Sequence, residues 1–193
     1  MNYNGWHLRC SPVIFRVRFI FRRLRRPTEQ EPLPMFDILW RSVAIGVGGT
    51  VLMDIWALLL FLVAGQNKPN WAPVGRWFWH LRIGKVFHDD IGKAEPYAHE
   101  QALGWISHYA VGIAYGILLV AITGPAWLAA PTFLPAWIVG IVTIGAGWFL
   151  LQPGLGIGWA ASKLPNANKV RFLNFVSHTV FAAGMYGTAL LLA

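Results

Sequence analysis

Four stretches of mainly apolar residues, each long enough to cross a lipid bilayer, restrict this chain to a small set of folds. They cover residues 43–64, 103–122, 133–151 and 172–193. A bilayer core of about 30 Å requires about 20 apolar residues in a helix, and a helix satisfies its backbone amides within its own segment. The alternating polarity of barrel strands is absent from these stretches. The sequence therefore predicts an all-α fold, an integral membrane bundle of four transmembrane helices within a domain of residues 35–193.

The charge content agrees with a membrane protein. Charged residues make up 12% of the chain, about half of the roughly 25% found in soluble domains. The formal net charge is +8, but the basic residues flank the apolar stretches, where anionic lipid headgroups attract them. The lipid bilayer is therefore the expected partner, and nucleic acid is not. Because Cys10 is the single cysteine, an intramolecular disulfide and a cysteine metal cluster are excluded.

The basic segment of residues 1–34 differs from the rest of the chain. Residues 13–26 read VIFRVRFIFRRLRR, with six arginines among bulky apolar residues. Two interpretations are open: a basic arm on the membrane surface, or a translation start at Met35 that leaves the upstream residues outside the native protein. The second is favoured, because the seven arginines of this segment contradict the charge pattern of everything after it.

The distribution of basic residues predicts the membrane orientation. Beyond the N-terminal segment, every Lys and Arg except Arg41 lies in two loops, residues 65–102 and 163–171. Two helices separate these loops, so both lie on one side, which the positive-inside rule identifies as the cytoplasm. Within the longer loop, Arg76 and Arg82 are expected to face anionic headgroups.

Two of the predicted helices resemble each other. Residues 105–116 (WISHYAVGIAYG) and 175–187 (FVSHTVFAAGMYG) both begin with an aromatic residue, continue with Ser-His and end with Tyr-Gly. The two helices run the same way through the membrane, so the pattern predicts two helical hairpins repeated in parallel. Chance similarity between two apolar helices is the alternative.

Small residues four positions apart predict where helices approach closely. Gly104, Gly112 and Gly116 form one such stripe, and Ala183 and Gly187 form another on the last helix. This spacing lets helix backbones come into contact in a membrane. Four helices make a thin bundle, so a homodimer along a glycine stripe is also plausible.

The polar residues inside the apolar stretches are the candidate functional site. Asp54 lies near the middle of the first stretch, and His108 and His178 lie in the second and fourth. An ionisable residue at this depth is costly and usually faces the bundle interior. We expect the three side chains to converge in the cytoplasmic half of the membrane, with Glu100 extending a polar path from the cytoplasm.

This constellation allows several functions. Carboxylate and imidazole groups bind metal ions, two facing histidines ligate haem, and histidine relays protons near neutral pH. The candidate metal ligands are Asp54, His108 and His178, with His88 as a further one. We predict a small transporter or an ion- or proton-handling accessory protein; the alternatives are a metal or haem protein and a structural partner without chemistry. The sequence contains no Walker loop, nucleophile elbow or HExxH motif, which argues against an enzyme.

Several short motifs spread over residues 35–193 support a relationship. They are Thr50-Val-Leu-Met-Asp54, Gly75-Arg76, His88, Glu100, Gly104-Trp105, His108-Tyr109, Pro153-Gly154-Leu-Gly156, Ala161-Ser162 and His178. In these motifs the chain resembles a bacterial family known as domain of unknown function 2938. The resemblance implies a small, multi-pass protein of the bacterial inner membrane and supplies no activity, substrate or cofactor.

Overall fold

The computed structural model describes residues 33–193, which contain helices and loops only. The regular helices are α1 (Met35–Ala64), α2 (Ala72–Leu81), α3 (Glu100–Thr123), α4 (Ala126–Ala129), α5 (Phe133–Ala146), α6 (Gln152–Gly154) and α7 (Ala167–Leu192). A π-helical segment, Gly147–Leu151, joins α5 to α6, and 3₁₀ turns occur at Ile91–Lys93 and Trp159–Ala161.

Four helices are long and apolar enough to cross a membrane, as the sequence predicted. They are α1, α3, the continuous helix Phe133–Gly154 and α7. Residues 33–193 therefore form an all-α bundle with four membrane-spanning helices. The predictions for residues 1–34 lie outside the described part of the chain except at Leu33 and Pro34. The two parallel hairpin repeats remain a prediction.

The first span begins eight residues before the predicted apolar stretch, and the two charged side chains of its first turns, Asp37 and Arg41, both have hydrogen-bond partners. The carboxylate of Asp37 accepts a hydrogen bond from Trp40 Nε1 at 3.1 Å. Arg41 Nη1 donates to the carbonyl of Leu192 at 2.6 Å, at the last turn of α7. A cation at a helix C-terminus interacts favourably with the helix dipole and the unpaired carbonyls.

Helix α1 is central and packs against both α3 and α7. Its contact with α3 requires glycine on both sides: a Cβ on Gly116 would lie 2.7 Å from the Cα of Gly46, and a Cβ on Gly46 would lie 2.6 Å from the Cα of Ile113. Gly112 faces the hydroxyl of Thr50. The glycine stripe predicted on α3 is therefore a packing surface.

The small-residue stripe predicted on α7, Ala183 and Gly187, is not a packing surface. Ala183 is exposed, and a Cβ on Gly187 would have no neighbour within 4 Å. Gly184 takes the packing role instead, because a Cβ there would lie 2.8 Å from the Cα of Gly49 on α1. One residue rotates position by about 100° around a helix, so the small residues four apart were assigned to the wrong face. The homodimer stays a prediction.

The apolar core fills only one half of the bundle. Its largest fully buried side chains include Ile45, Leu119 and Met185, near the ends of the helices opposite the long loop. In the other half, α2 packs against α3, with Gly75 facing the backbone of Glu100 and Gly104 facing that of Trp71. This half contains the cavities described next.

Candidate functional site

Two of the three side chains that were expected to converge, Asp54 and His108, contact each other. Nε2 of His108 on α3 lies 3.0 Å from Oδ1 of Asp54 on α1. The hydroxyl of Tyr109 donates to the other carboxylate oxygen, Oδ2, at 2.9 Å. Because a carboxylate only accepts, His108 presents an N–H at Nε2, and in the neutral ring the lone pair is on Nδ1.

Aromatic rings hold the His108 imidazole in position. Trp71, at the start of α2, stacks on it with ring centroids 3.9 Å apart and an angle of 25° between the planes. Trp105 approaches the same ring edge-on, with centroids 5.9 Å apart. Among the described residues Nδ1 of His108 has no hydrogen-bond partner. The imidazole is thus restrained by its contacts, with one nitrogen available.

The structure places His178 apart from the Asp54 carboxylate. Its Nδ1 donates to the carbonyl of Gly140 on α5 at 2.8 Å. A carbonyl can only accept, so in the neutral ring Nε2 carries the lone pair. Within residues 33–193 no hydrogen bond involves this Nε2. The two histidines therefore share a pattern: one nitrogen donates to an oxygen, and the other is available.

A cavity of about 440 Å³ connects the two histidines, because both line it. Its wall is mainly apolar, and side chains of α2, of the π-helical segment and of the four long helices contribute to it. Its polar lining residues are Thr50, Ser107, His108, Tyr115, Thr143 and His178. This volume lies within the range of small-molecule sites, about 300–1,000 Å³.

A second cavity of about 310 Å³ lies on the Asp54 side of the hydrogen bond. Asp54, Tyr109, Lys68 and Trp105 line it, whereas His108 lines the larger cavity. The Asp54–His108 hydrogen bond therefore joins one cavity to the other. A carboxylate and an imidazole in direct contact can pass a proton between them.

The predicted three-ligand metal site is not formed. The described residues contain no group of three His, Cys, Asp or Glu side chains placed to bind one metal ion. Asp54 and His108 are paired with each other, while His178 is held by a backbone carbonyl on another helix. His88 is buried with both ring nitrogens in hydrogen bonds, to His80 and to the carbonyl of Gly154.

Glu100 and Arg76 form a pair that the sequence analysis missed. Arg76 Nε and Nη2 contact the two oxygens of Glu100 at 2.7 and 2.8 Å, and both side chains are largely buried. Arg76 Nη1 also donates to the carbonyls of Ile91 and Ala94, at 2.9 and 3.1 Å. The hydrogen bond with Glu100 raises the pKa of the Arg76 guanidinium above its usual value.

This pair corrects two predictions. Arg76 does not face headgroups, because its guanidinium faces Glu100 and the loop backbone. Glu100 does not join the polar site, because Arg76 occupies its carboxylate. A bidentate pair of this kind is geometrically specific, and here it fastens the long loop to the start of α3. Arg82 remains exposed, with its guanidinium 3.7 Å from the ring centroid of Trp79.

Three residues near the site were not identified from sequence: Tyr109, Trp71 and His80. The adjacency of Tyr109 to His108 was a usable signal, since it places a second hydrogen-bond donor on the same helical turn. Trp71 follows a polar linker, and no local pattern indicates that it stacks on a histidine. His80 and His88 lie eight residues apart across a turn, a spacing with no established meaning.

The comparison with protein families agrees with the motifs. The family model described as "Protein of unknown function (DUF2938)" matches residues 43–192. The chain belongs to this family. Its match includes Asp54, His108 and His178, so the whole candidate site lies inside the family domain. Neither a curated protein nor a solved structure matches the chain.

Proposed function

We propose that this protein is a small proton-handling transporter whose larger cavity binds a small, mainly apolar molecule that carries a hydroxyl group. One observation carries the proposal: His108 and His178 line the same apolar cavity, and each keeps one ring nitrogen free of hydrogen bonds within the described chain. A neutral imidazole nitrogen accepts a hydrogen bond from a hydroxyl.

The proton step uses the neighbouring carboxylate. A proton that enters the larger cavity can bind to the ligand oxygen while the hydroxyl passes its own proton to His108 Nδ1, so the ligand stays neutral. The imidazole becomes cationic, and its Nε2–H still faces Asp54. The negative charge of Asp54, 3.0 Å away, stabilises the cation, as a carboxylate does for a catalytic imidazolium. Asp54 then provides an exit for the proton to the second cavity, which it lines. Under the positive-inside rule this path faces the cytoplasm of a bacterial inner membrane.

The proposal is tested with 2-naphthol, a fluorescent phenol, and with naphthalene as the matched probe without a hydroxyl. Trp71 and Trp77 line the cavity, so bound 2-naphthol is detectable by energy transfer from tryptophan, and naphthalene binding is measured by its competition with 2-naphthol. We expect 2-naphthol to bind the detergent-purified full chain more tightly than naphthalene. His178→Asn keeps an N–H donor for Gly140 but removes Nε2, and should weaken 2-naphthol binding about five-fold, the cost of about one hydrogen bond.

The control is His99→Asn, since His99 is exposed before α3 and does not line the cavity. It should bind 2-naphthol as the wild type does. Equal affinity of the wild type for both probes, or unchanged 2-naphthol affinity in His178→Asn, would overturn the proposal.

A second candidate function is a metal or haem protein, favoured by a separate feature of the same histidines. Histidines that ligate metals usually donate their other N–H to a carboxylate or a carbonyl, as His108 does to Asp54 and His178 does to Gly140. Metal content and the visible absorption spectrum of wild type and His178→Asn decide this. A stoichiometric metal or a haem band that the variant lacks supports it; colourless, metal-free protein in both forms rejects it.

A further inference from the structure

Two histidines outside the candidate site contact each other inside the protein. His80 lies near the end of α2 and His88 in the following loop, and only 6% and 7% of their surfaces are exposed. Nδ1 of His80 is 2.8 Å from Nε2 of His88, a hydrogen-bond distance. Burial means that water does not supply these ring nitrogens with partners, so the partners must come from the protein.

The outer nitrogens of the pair both face carbonyl oxygens. Nε2 of His80 lies 3.0 Å from the carbonyl oxygen of Glu95. Nδ1 of His88 lies 2.9 Å from the carbonyl oxygen of Gly154, at the end of α6. Because a carbonyl oxygen only accepts hydrogen bonds, both outer nitrogens must carry hydrogen.

The number of hydrogens then follows from the number of bonds. Two neutral imidazoles carry one ring N–H each, and the two carbonyls use both. The inner nitrogens would then face each other as two lone pairs at 2.8 Å, which is repulsive. One more proton between them completes all three hydrogen bonds. We infer that the His80–His88 pair is a binding site for one additional proton.

The surrounding charges do not oppose one added positive charge. The titratable and charged groups on residues 76–100 besides the pair are Arg76, Arg82, Lys85, Asp89, Asp90, Lys93, Glu95, Tyr97, His99 and Glu100, while residues 152–162 contain none. At neutral pH these are four carboxylates and four cations, so this segment has no net positive charge that would repel the proton. Burying a charge is costly unless hydrogen bonds satisfy it, and here every ring N–H has an acceptor.

The proton site lies where the loop is attached to the third span. The backbone N–H of His88 donates to the carbonyl of Gly154, and the backbone N–H of Ile91 donates to the carbonyl of Leu155, both at 3.1 Å. His80 connects this attachment to α2. Since α2 and the π-helical segment before Gly154 both line the larger cavity, the proton holds two walls of that cavity together. Loss of the proton removes one of the three side-chain hydrogen bonds and loosens the attachment.

The test is a count of protonated ring nitrogens by ¹⁵N-histidine NMR on the full chain in nanodiscs. The spectra are recorded near pH 6, roughly where a free imidazole is half protonated. We expect three of the four nitrogens of the pair to be protonated, and exposed His99 provides the reference signal of a histidine outside the pair. His80→Gln and His88→Gln assign the signals, and in each variant the remaining histidine should lose the shared-proton signature.

Two results would overturn the inference. Two protonated nitrogens would show a neutral pair, and four would show two separate imidazolium rings. Hydrogen exchange gives an independent readout: His88→Gln should speed exchange of the Ile91 amide, whereas His99→Gln should leave it unchanged. Equal exchange in His88→Gln and wild type would exclude the attachment role. None of these measurements depends on a cavity ligand, so they stand apart from the proposed transport function.

Discussion

His108 on α3 and Asp54 on α1 are joined by a 3.0 Å hydrogen bond between Nε2 and Oδ1. The two side chains are 11% and 22% exposed, so the bond lies inside the bundle but is not sealed from the smaller cavity. Each residue lines a different cavity. The same bond therefore stabilises the α1–α3 contact and connects the two cavities.

Two substitutions of Asp54 should distinguish the contribution of its charge to stability from the contribution of its hydrogen bonds. Asp54→Asn retains a carbonyl oxygen for His108 and an amide that can donate to the Tyr109 hydroxyl, so thermal stability should change little. Asp54→Leu leaves both donors unpaired, at about 1–3 kcal/mol for each buried group, and should lower the Tm clearly. Thermal unfolding in detergent measures this difference.

Asp37→Leu is the matched control on the same helix, because Asp37 is only half-buried and makes only a local hydrogen bond with Trp40. Its Tm should stay near that of the wild type. If Asp54→Leu were as stable as Asp37→Leu, the Asp54 contacts would contribute nothing to the fold.

Two glycine-to-alanine changes should have opposite effects. Gly116→Ala would place a Cβ 2.7 Å from the Cα of Gly46, and overpacking of this kind costs about 1–3 kcal/mol. Gly187→Ala meets no atom within 4 Å, and alanine in a helix is favoured over glycine by about 1 kcal/mol. We expect a lower Tm for Gly116→Ala and an equal or higher Tm for Gly187→Ala.

A destabilising Gly187→Ala would instead indicate that a second copy of the chain packs on that face. Repeating the measurement over a range of protein-to-detergent ratios distinguishes the two cases, because only a dimer depends on that ratio.

Removing the charge of Glu100 should detach the long loop. Glu100→Gln leaves the guanidinium of Arg76 largely buried without a counter-ion, and breaking a buried pair in this way costs on the order of 3 kcal/mol. Amide exchange in residues 91–94 should become faster, because Arg76 donates to the carbonyls of Ile91, Gly92 and Ala94 in this segment.

Glu95→Gln is the control for that measurement, since Glu95 is exposed and contributes its backbone carbonyl to His80. Exchange in this variant should match the wild type. Because burial limits screening by ions, raising the salt concentration should not reproduce the Glu100→Gln effect; loop release by salt alone would contradict the assigned role of the pair.

Arg82 should recognise anionic lipid. It is exposed and stacks on Trp79, with no acceptor within the described part of the chain. Wild-type protein should gain thermal stability when nanodiscs of neutral lipid are replaced by ones with anionic lipid, and Arg82→Gln should lose part of that gain. A basic residue near the headgroups contributes about 1 kcal/mol.

Lys93→Gln serves as the comparison, because Lys93 is exposed and its distance to Asp90 is 3.7 Å. If both variants lost the same fraction of the gain, the lipid effect would reflect net charge and not a site at Arg82.

The contacts of a polar residue were predictable only where its partner also lay within an apolar helix. Asp54 and His108 lie in adjacent apolar helices, and each needs a polar partner at that depth, so sequence made each a candidate partner of the other, with His178 as the alternative for Asp54. His178 had a second option, the Gly140 carbonyl, and sequence does not indicate which acceptor a histidine takes. Arg76 looked like a headgroup ligand because its partners are separated from it by 15 to 24 residues along the chain.

The sequence by itself determined that residues 33–193 contain four helices apolar enough to cross a membrane and which polar residues lie within those helices, since both depend on the composition of each helix. Only the tertiary structure decided which helix faces meet, that Gly184 and not Ala183 packs on α1, and that His80 and His88 share a site. These choices depend on helix rotation and loop docking. Such contacts form between segments that are far apart in the sequence, and a local pattern of residues does not predict which of these segments come into contact.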